Sequence, residues 1–186
     1  MTSSQTMTDV ENLTDREERQ LPYRPPSLSD YPSARDLFDD ARRCATDADR
    51  IRAAIMRMES REGARAQSYG SHGRSGHRAD AMRETDRGID YESRMRLRQQ
   101  RDYDVIDLAC DVLYGADQLS GGLSSLLSPA HADCVCLRYC NAETWDEVAA
   151  GCGMSVRWCE KSVPQAMELM DAYGLDRVRA GLGLAE

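Results

Sequence analysis

The sequence predicts an all-α protein in which a long antiparallel helical hairpin, residues 31–122, is followed by a C-terminal helix-turn-helix domain, residues 123–186. Three observations favour this fold class. Apolar residues recur three and four positions apart along two long segments, 33–62 and 80–119. Hydroxyl side chains suited to helix N-caps stand at three points between residues 128 and 155. Aromatic residues make up only 6% of the 186 residues and charged residues 30%, which argues against one large packed core.

The two ends of the chain are predicted to contribute little. Residues 1–30 are polar, net acidic and end in the Pro25-Pro26 pair, which predicts a disordered tail that packs little against the rest. At the other end, Gly174 predicts a break, after which Leu175 and Val178 are expected to pack on the C-terminal domain.

The first long helix is predicted to begin near Ser33 and to run to about residue 62. Eight of its residues fall on one narrow stripe: Ala34, Leu37, Ala41, Cys44, Ala48, Ile51, Ile55 and Met58. The other faces carry mainly Asp and Arg. Because such a helix is marginal alone in water, the stripe predicts a partner helix.

The second long helix is expected from about residue 80 to about residue 119, after a glycine–serine loop at 69–77. Its stripe is less regular: Met82, Ile89, Tyr91, Met95, Tyr103, Ile106, Ala109, Cys110, Leu113 and Ala116. Two histidines, His72 and His77, lie in the loop and are interpreted as solvated residues, because nothing supplies further metal ligands. The two stripes predict an antiparallel hairpin, which is also a candidate homodimer interface.

Arginines are concentrated near the turn of this hairpin. Ten arginines stand between residues 61 and 101 against six acidic residues. Two interpretations remain open. These arginines form a solvated helix face with ion pairs between residues four apart, or they make a second contact with DNA phosphates or an acidic partner.

The C-terminal region contains the strongest local signals. Ser128 before Pro129 predicts a capped helix start, and residues 144–147 (TWDE) form a capping box. Gly153 is suited to the left-handed conformation of a tight turn, and Ser155 is suited to cap the next helix. This spacing is typical of a helix-turn-helix.

Residues 128–170 carry a resemblance to a known family. The segments LRY, TWDEVAAGCGMS and AMELM, with an apolar position at Cys159, resemble region four of the sigma-70-type sigma factors. They are especially similar to small sigma-factor-like transcription regulators of phages and prophages. The resemblance implies a domain that engages promoter DNA and contacts RNA polymerase.

The second helix of this motif is the predicted recognition helix. Cys159 is expected to face inward with Val148, Cys152 and Met154. The outward face, which the resemblance places in the major groove, comprises Val156, Arg157, Trp158, Glu160, Lys161 and Gln165. Two interpretations of Trp158 stay open, a contact with a thymine methyl group or a place in the core.

The roles expected of the other site residues follow from their chemistry. Ser155 suits a phosphate at the helix N-terminus, and Arg157 and Lys161 suit guanine edges or phosphates. Thr144 and Arg138 are expected to support the DNA contact.

The charge balance opposes DNA binding. The whole chain carries a net charge of −8, and residues 129–166 contain three basic against five acidic side chains. Glu160 lies on the recognition face, and Pro164 predicts that the last helix kinks or restarts. Binding by a monomer is therefore expected to be weak and sensitive to salt.

Neither metal nor catalytic chemistry is predicted. Three cysteines, Cys134, Cys136 and Cys140, with His131 nearby, invite a zinc interpretation. However, Cys134 is expected to point away and no paired C-x2-C motif exists, so small buried side chains are favoured and no cofactor is expected. The sequence contains no glycine-rich phosphate loop and no nucleophile elbow, so the protein is not expected to be an enzyme.

The odd number of cysteines, seven, favours reduced thiols in the cytoplasm. No apolar run approaches the ~18 residues of a membrane span, and no signal peptide is visible.

Three functions remain open. The first is sequence-specific binding of double-stranded DNA in transcription control, with a phage or prophage origin. The second is a helical protein-interaction or oligomerisation module, which the acidic balance favours. The third is a DNA-packaging subunit like the small terminase proteins, which also join a helix-turn-helix to a helical oligomerisation hairpin.

Overall fold

The computed structural model describes residues 23–68, 78–117 and 120–182, and within these ranges it contains helices and no strands. Side-chain surroundings are defined outside residues 61–87. The elements are a 3-10 turn at Leu28–Asp30, α1 Ala34–Ser68, α2 Arg78–Tyr114, α3 Gly122–Leu126, α4 Pro129–Val135, a π-helical turn Cys136–Cys140, α5 Trp145–Cys152, α6 Val156–Tyr173 and α7 Leu175–Arg179. The all-α class is confirmed. None of the described helices combines the length and apolarity needed to cross a bilayer.

The predicted pair of long helices is confirmed, since α1 packs along α2. The expected loop at 69–77, with His72 and His77, lies outside the described residues. The predicted end of the second helix near residue 119 is wrong, because α2 ends at Tyr114. Gly115 adopts φ +85, and a Cβ there would lie 2.0 Å from the carbonyl oxygen of Ser120, so the chain folds back directly over this glycine.

The stripe of α1 is almost wholly buried, as predicted. Seven of its eight residues lie in the core, and Met58, the member nearest the tip, is half-buried. Phe38, the single phenylalanine, is also fully buried. Its ring packs edge-on against Tyr139, with 5.9 Å between the ring centroids. The base of the hairpin is therefore packed against the C-terminal half of the chain.

The stripe of α2 was predicted less well. Among residues 88–114, whose side chains are described, the buried ones are Val105, Ala109, Val112 and Leu113, of which two belonged to the predicted stripe. The stripe residue Met82 lies outside the described side chains. Ile89 and Tyr91 are exposed, as is Ala116, which lies beyond the end of α2. Ile89 and Tyr91 are two positions apart and therefore point about 200° apart on a helix, so one partner helix could cover only one of them. In this structure α1 covers neither.

A single cluster of buried residues joins the hairpin base to the C-terminal helices. It extends from Leu28 to Val178 and crosses residue 122, where the sequence suggested a domain boundary. Asp171 near the end of α6 reinforces this connection, because its carboxylate accepts a hydrogen bond of 2.6 Å from the backbone N–H of Ala34 at the start of α1.

Of the predictions for the two ends of the chain, the one for the N-terminus is partly wrong and the one for the C-terminus is confirmed. The prediction that residues 1–30 pack little is wrong for its last part, because Leu28 is buried and the hydroxyl of Tyr23 donates to Asp104. Residues 1–22 lie outside the described residues. The predicted packing of the C-terminus is confirmed, with Val178 fully buried and Leu175 half-buried.

Candidate nucleic-acid interface

The local signals of the C-terminal region are realised in α5 and α6. The Oγ of Thr144 accepts from the backbone N–H of Glu147, and the carboxylate of Glu147 accepts from the N–H of Thr144 at 2.8 Å, so the capping box is confirmed. Gly153 adopts φ 66 and ψ 27, the predicted left-handed conformation. The Oγ of Ser155 accepts from the N–H of Trp158 at 3.3 Å, which confirms the N-cap of α6.

The interior of this helix–turn–helix unit matches the prediction except at one residue. Val148 and Cys159 are fully buried, and Cys152 is half-buried. Met154 was expected to face inward, but 42% of it is exposed. It follows Gly153 in a Schellman turn, in which its N–H donates to the carbonyl of Ala149 at 3.0 Å, and this turn directs its side chain towards solvent.

Three of the predicted recognition residues form one exposed row on α6. Arg157, Lys161 and Gln165 are each four positions apart and all exposed. Within the described part of the chain, neither Arg157 nor Lys161 has an acidic group within ion-pairing distance. Both cations are thus available to an external anion. We call these three residues the α6 row.

Val156 and Trp158 do not belong to the freely exposed face. Val156 precedes the buried Cys159 by three positions and is half-buried against the core, so the prediction that it points outward is wrong. Trp158 is also half-buried, and its ring lies against His131 of α4 with 4.9 Å between centroids. Of its two interpretations, the packed one describes its position. The exposed face is accordingly narrower than the sequence suggested.

The two supporting residues are engaged within the protein. The guanidinium of Arg138 donates to the carbonyl of Glu143 at 2.7 Å and lies over the ring of Trp145, 4.4 Å from its centroid. Burial, and then the nearby Arg42, lower the pKa of Arg138. The hydroxyl of Thr144 donates to Glu147 at 2.7 Å. Both residues therefore hold the start of α5 in place through contacts within the protein, and their expected support of a DNA contact stays a prediction.

Exposed acidic groups lie on both helices of the helix–turn–helix unit. Asp146 and Glu147 occupy the first turn of α5 and are exposed, and Glu160 is exposed beside Lys161. The backbone N–H of Thr144, and then its hydroxyl, lower the pKa of Glu147, so this carboxylate stays charged to acidic pH. Pro164 lies inside α6, which continues through it to Tyr173 without the predicted restart. A phosphate is thus attracted at the α6 row and repelled at the start of α5.

The hairpin arginines that are described are mostly engaged in internal contacts. Arg96 pairs with Glu92, four positions earlier, and with Glu59 of α1 at 3.7 Å. Arg98 pairs with Asp47. These contacts favour the interpretation of an ion-paired, solvated face over residues 94–101. The arginines from 61 to 87 lie outside the part of the chain whose side chains are described.

A group of three thiols lies elsewhere in the structure, and the sequence indicated only two of its members, Cys136 and Cys140. The thiols of Cys110, Cys136 and Cys140 all lie within 4.8 Å of one another. Cys134 points elsewhere, as expected, with its thiol 3.8 Å from the carbonyl oxygen of Cys159. Cys110 comes from α2 and is distant in sequence from the other two cysteines. The only sequence signal for its position was its place on the apolar stripe near the base of the hairpin. We call these three residues the thiol cluster.

The thiols of the cluster influence one another. Hydrogen bonds from Cys110, then from Cys140, lower the pKa of Cys136. The bond to Cys136 raises the pKa of Cys110 to about 12. All seven cysteines of the chain are free thiols.

No protein-family model, curated protein or solved structure matches this chain. The functional interpretation consequently depends on the chain's own geometry and on the residues that carry the sequence resemblance. That geometry offers two distinct features, the α6 row and the thiol cluster.

Proposed function

We propose that the protein is a sequence-specific DNA-binding regulator of transcription, with α6 as its recognition helix. The observation that carries the proposal is the α6 row: two cations that form no ion pair with any described residue, and one amide. All three are exposed on a helix of 18 residues that follows a left-handed glycine turn. Arginine and lysine donate to guanine edges and phosphates, and glutamine pairs with adenine, so the row has the chemistry of base recognition.

The electrostatics predict how such binding would depend on salt. With Arg157 and Lys161 as the cations and acidic residues at the start of α5, few phosphates are neutralised. Two phosphate contacts give a slope of log K against log salt of about −2. A steeper slope would mean that the hairpin arginines contribute as well.

The resemblance to sigma region four supplies the biological setting of this proposal. Promoter DNA is the expected target and RNA polymerase the expected partner, in the cytoplasm, with a phage or prophage origin. The net charge of −8 makes unaided binding weak. Delivery by the polymerase, or dimerisation, raises the effective concentration at the promoter and compensates for the small number of phosphate contacts.

The test is binding of the full chain to fragments of its own genomic neighbourhood at low and moderate salt. Arg157→Ala is expected to cost about 1–3 kcal/mol of specific binding if it reads a base, and Arg157→Ala/Lys161→Ala should abolish site selectivity. The matched control is Arg35→Ala/Arg50→Ala, which removes the same charge from exposed positions of α1 outside the arginine-rich stretch. Equal affinity and selectivity in the wild type and all three variants would contradict α6 as the reading helix.

A second candidate function is self-association through the hairpin. Four large apolar side chains are exposed on its distal half: Met56 (63%), Ile89 (57%), Tyr91 (46%) and Leu97 (52%). Exposed apolar residues concentrated in one region favour a partner surface, and a second copy of the hairpin presents the same residues. This arrangement belongs to the interaction-module or small-terminase-like alternative.

Light scattering of the full chain distinguishes these possibilities. A ring-sized oligomer would favour the packaging subunit, and a dimer would suit either a regulator or a simple interaction module. Met56→Lys/Leu97→Lys should then yield a monomer, whereas Leu182→Lys, which alters an exposed apolar residue far from the hairpin tip in sequence, should leave the oligomer intact. A monomeric wild-type protein at all concentrations would rule out this candidate.

A further inference from the structure

The thiol cluster lies where the hairpin meets the helix that leads into α5. Cys110 belongs to α2, and Cys136 and Cys140 open and close the π-helical turn that follows α4. Cys140 is buried, while Cys110 and Cys136 are half-buried, so solvent reaches one side of the cluster. Cys134 and Cys159, by contrast, are fully buried, as expected of cysteines that only fill space in a core.

Two of the three thiols lie in one π-helical turn. The N–H of Asn141 donates to the carbonyl of Cys136 at 3.1 Å, five positions back, so the turn is wider than an α-helical one. Residues four positions apart lie on one side of a helix, so Cys136 and Cys140 share the side that faces Cys110. Turns of this kind are rare and occur frequently at functional sites.

We infer that Cys110, Cys136 and Cys140 bind a thiophilic metal ion, Zn²⁺ or Cu⁺, through three thiolates. Zn–S bonds of about 2.3 Å in a tetrahedral site place the sulfur atoms ~3.8 Å apart. The thiols here lie within 4.8 Å of one another, so side-chain adjustments of about an ångström or less complete the geometry. Soft thiolate ligands select these ions over Mg²⁺ or Ca²⁺.

The fourth position is open to solvent or to a small external ligand. Among the described residues, no further histidine, cysteine or carboxylate shares the cluster. Tyr114 interacts with Cys136 beside the site, and its hydroxyl donates to Asp133 at 2.8 Å and so links α2 to α4. Three thiolates and an external ligand suit Zn²⁺, and three thiolates alone suit Cu⁺.

Binding would join two parts of the fold. Each thiol loses its proton as its sulfur becomes a ligand, and the metal then links α2 to the turn that precedes α5. Because the ligands come together only in the folded chain, metal binding is expected to raise the melting temperature. This inference does not depend on DNA binding.

The experiment uses the full chain, reduced and freed of metal, and titrates it with Co²⁺ as a spectroscopic probe. A thiolate-to-cobalt charge-transfer band should saturate at a single equivalent, with a rise in melting temperature. Separate displacement titrations with Zn²⁺ and Cu⁺ then identify the preferred ion. Cys110→Ser and Cys136→Ser should each lose the band and the thermal shift.

The matched control is Cys152→Ser, which alters another half-buried cysteine outside the cluster and should bind as the wild type does. Far-ultraviolet circular dichroism of the metal-free variants verifies that they fold. Absence of the band in the reduced wild type would overturn the inference, as would an equal band in Cys110→Ser. A Cys110–Cys136 disulfide in protein purified without reductant, with no metal binding after reduction, would also overturn it and assign the cluster to redox chemistry.

Discussion

His131 connects the helix before the turn to the recognition helix through two contacts. Its Nδ1 lies 2.7 Å from the hydroxyl of Ser128, and its ring packs against Trp158. The same hydroxyl accepts from the backbone N–H of His131, so its own proton is free to point at a neutral Nδ1. Protonation of the ring would remove this acceptor and place a charge in a partly buried site.

The stability of the fold should therefore fall when the pH is lowered through this titration. Burial lowers the pKa of His131 below its ordinary value of 6.5. Because the unfolded chain takes up this proton at higher pH than the folded chain, the contribution of neutral His131 is complete above pH 6.5 and is lost as the pH falls through the folded-state pKa. His131→Phe, which keeps a ring beside Trp158, should reduce the loss of stability between about pH 7.5 and about pH 5.5. Urea denaturation at both pH values measures the free energy of unfolding of the wild type and the variant. An unchanged pH dependence in the variant would contradict the role of neutral His131 in stability.

Charged residues show why the site was harder to predict than the helices. Arg138 and Arg157 are the same residue type in the same predicted motif, yet Arg138 donates to a nearby carbonyl and stacks on Trp145, while Arg157 is exposed. Sequence spacing places both near the turn, but only tertiary packing decides which guanidinium is free. The α6 row was predictable from helical periodicity, whereas the internal contacts of Arg138 were not.

At the scale of elements, the helix ends were predictable because their causes are local. Ser128, Thr144 and Ser155 each bond to a backbone group three residues on, and Gly153 ends α5 by its own conformation. The exposure of the distal part of α2 was not predictable in this way. An amphipathic stripe shows which side chains a partner helix could bury, but it does not show whether a partner covers them. The surroundings of Cys110 were not predictable either, because its two cysteine neighbours, Cys136 and Cys140, come from a different element.

Two glycines in left-handed conformation should respond differently to the same substitution. Gly153 has φ 66 and an added Cβ would meet nothing within 4 Å, whereas Gly122 has φ 70 and its Cβ would lie 2.5 Å from the carbonyl oxygen of Leu113. Gly153→Ala should therefore cost about 1–2 kcal/mol, the strain of the left-handed conformation alone. Gly122→Ala should cost more, because backbone atoms of α2 must also move. Urea denaturation of both variants measures the difference, and equal losses would show that the close approach at Gly122 is relieved without cost.

At the scale of the whole molecule, the shared core makes the hairpin and the C-terminal helices dependent on each other. Phe38 of α1 is fully buried against Tyr139 of the π-helical turn, and Asp171 of α6 binds the first N–H of α1. The two tryptophans, Trp145 and Trp158, lie in the C-terminal helices, while the long hairpin dominates the helical signal. Tryptophan fluorescence and circular dichroism therefore report on different parts of one structure.

Phe38→Ala should destabilise both parts together, by about 3–5 kcal/mol, because it opens a cavity at their junction. In the wild type, the unfolding transitions followed by tryptophan fluorescence and by circular dichroism should coincide, and in the variant both should shift by the same amount. Arg50→Ala is the control, since Arg50 lies on the same helix but is exposed and outside the candidate self-association surface, and it should leave both transitions in place. If Phe38→Ala moved the dichroism transition and left the fluorescence transition unchanged, the hairpin and the C-terminal helices would be separate folding units. The contacts of Phe38 and Asp171 would then contribute little to holding them together.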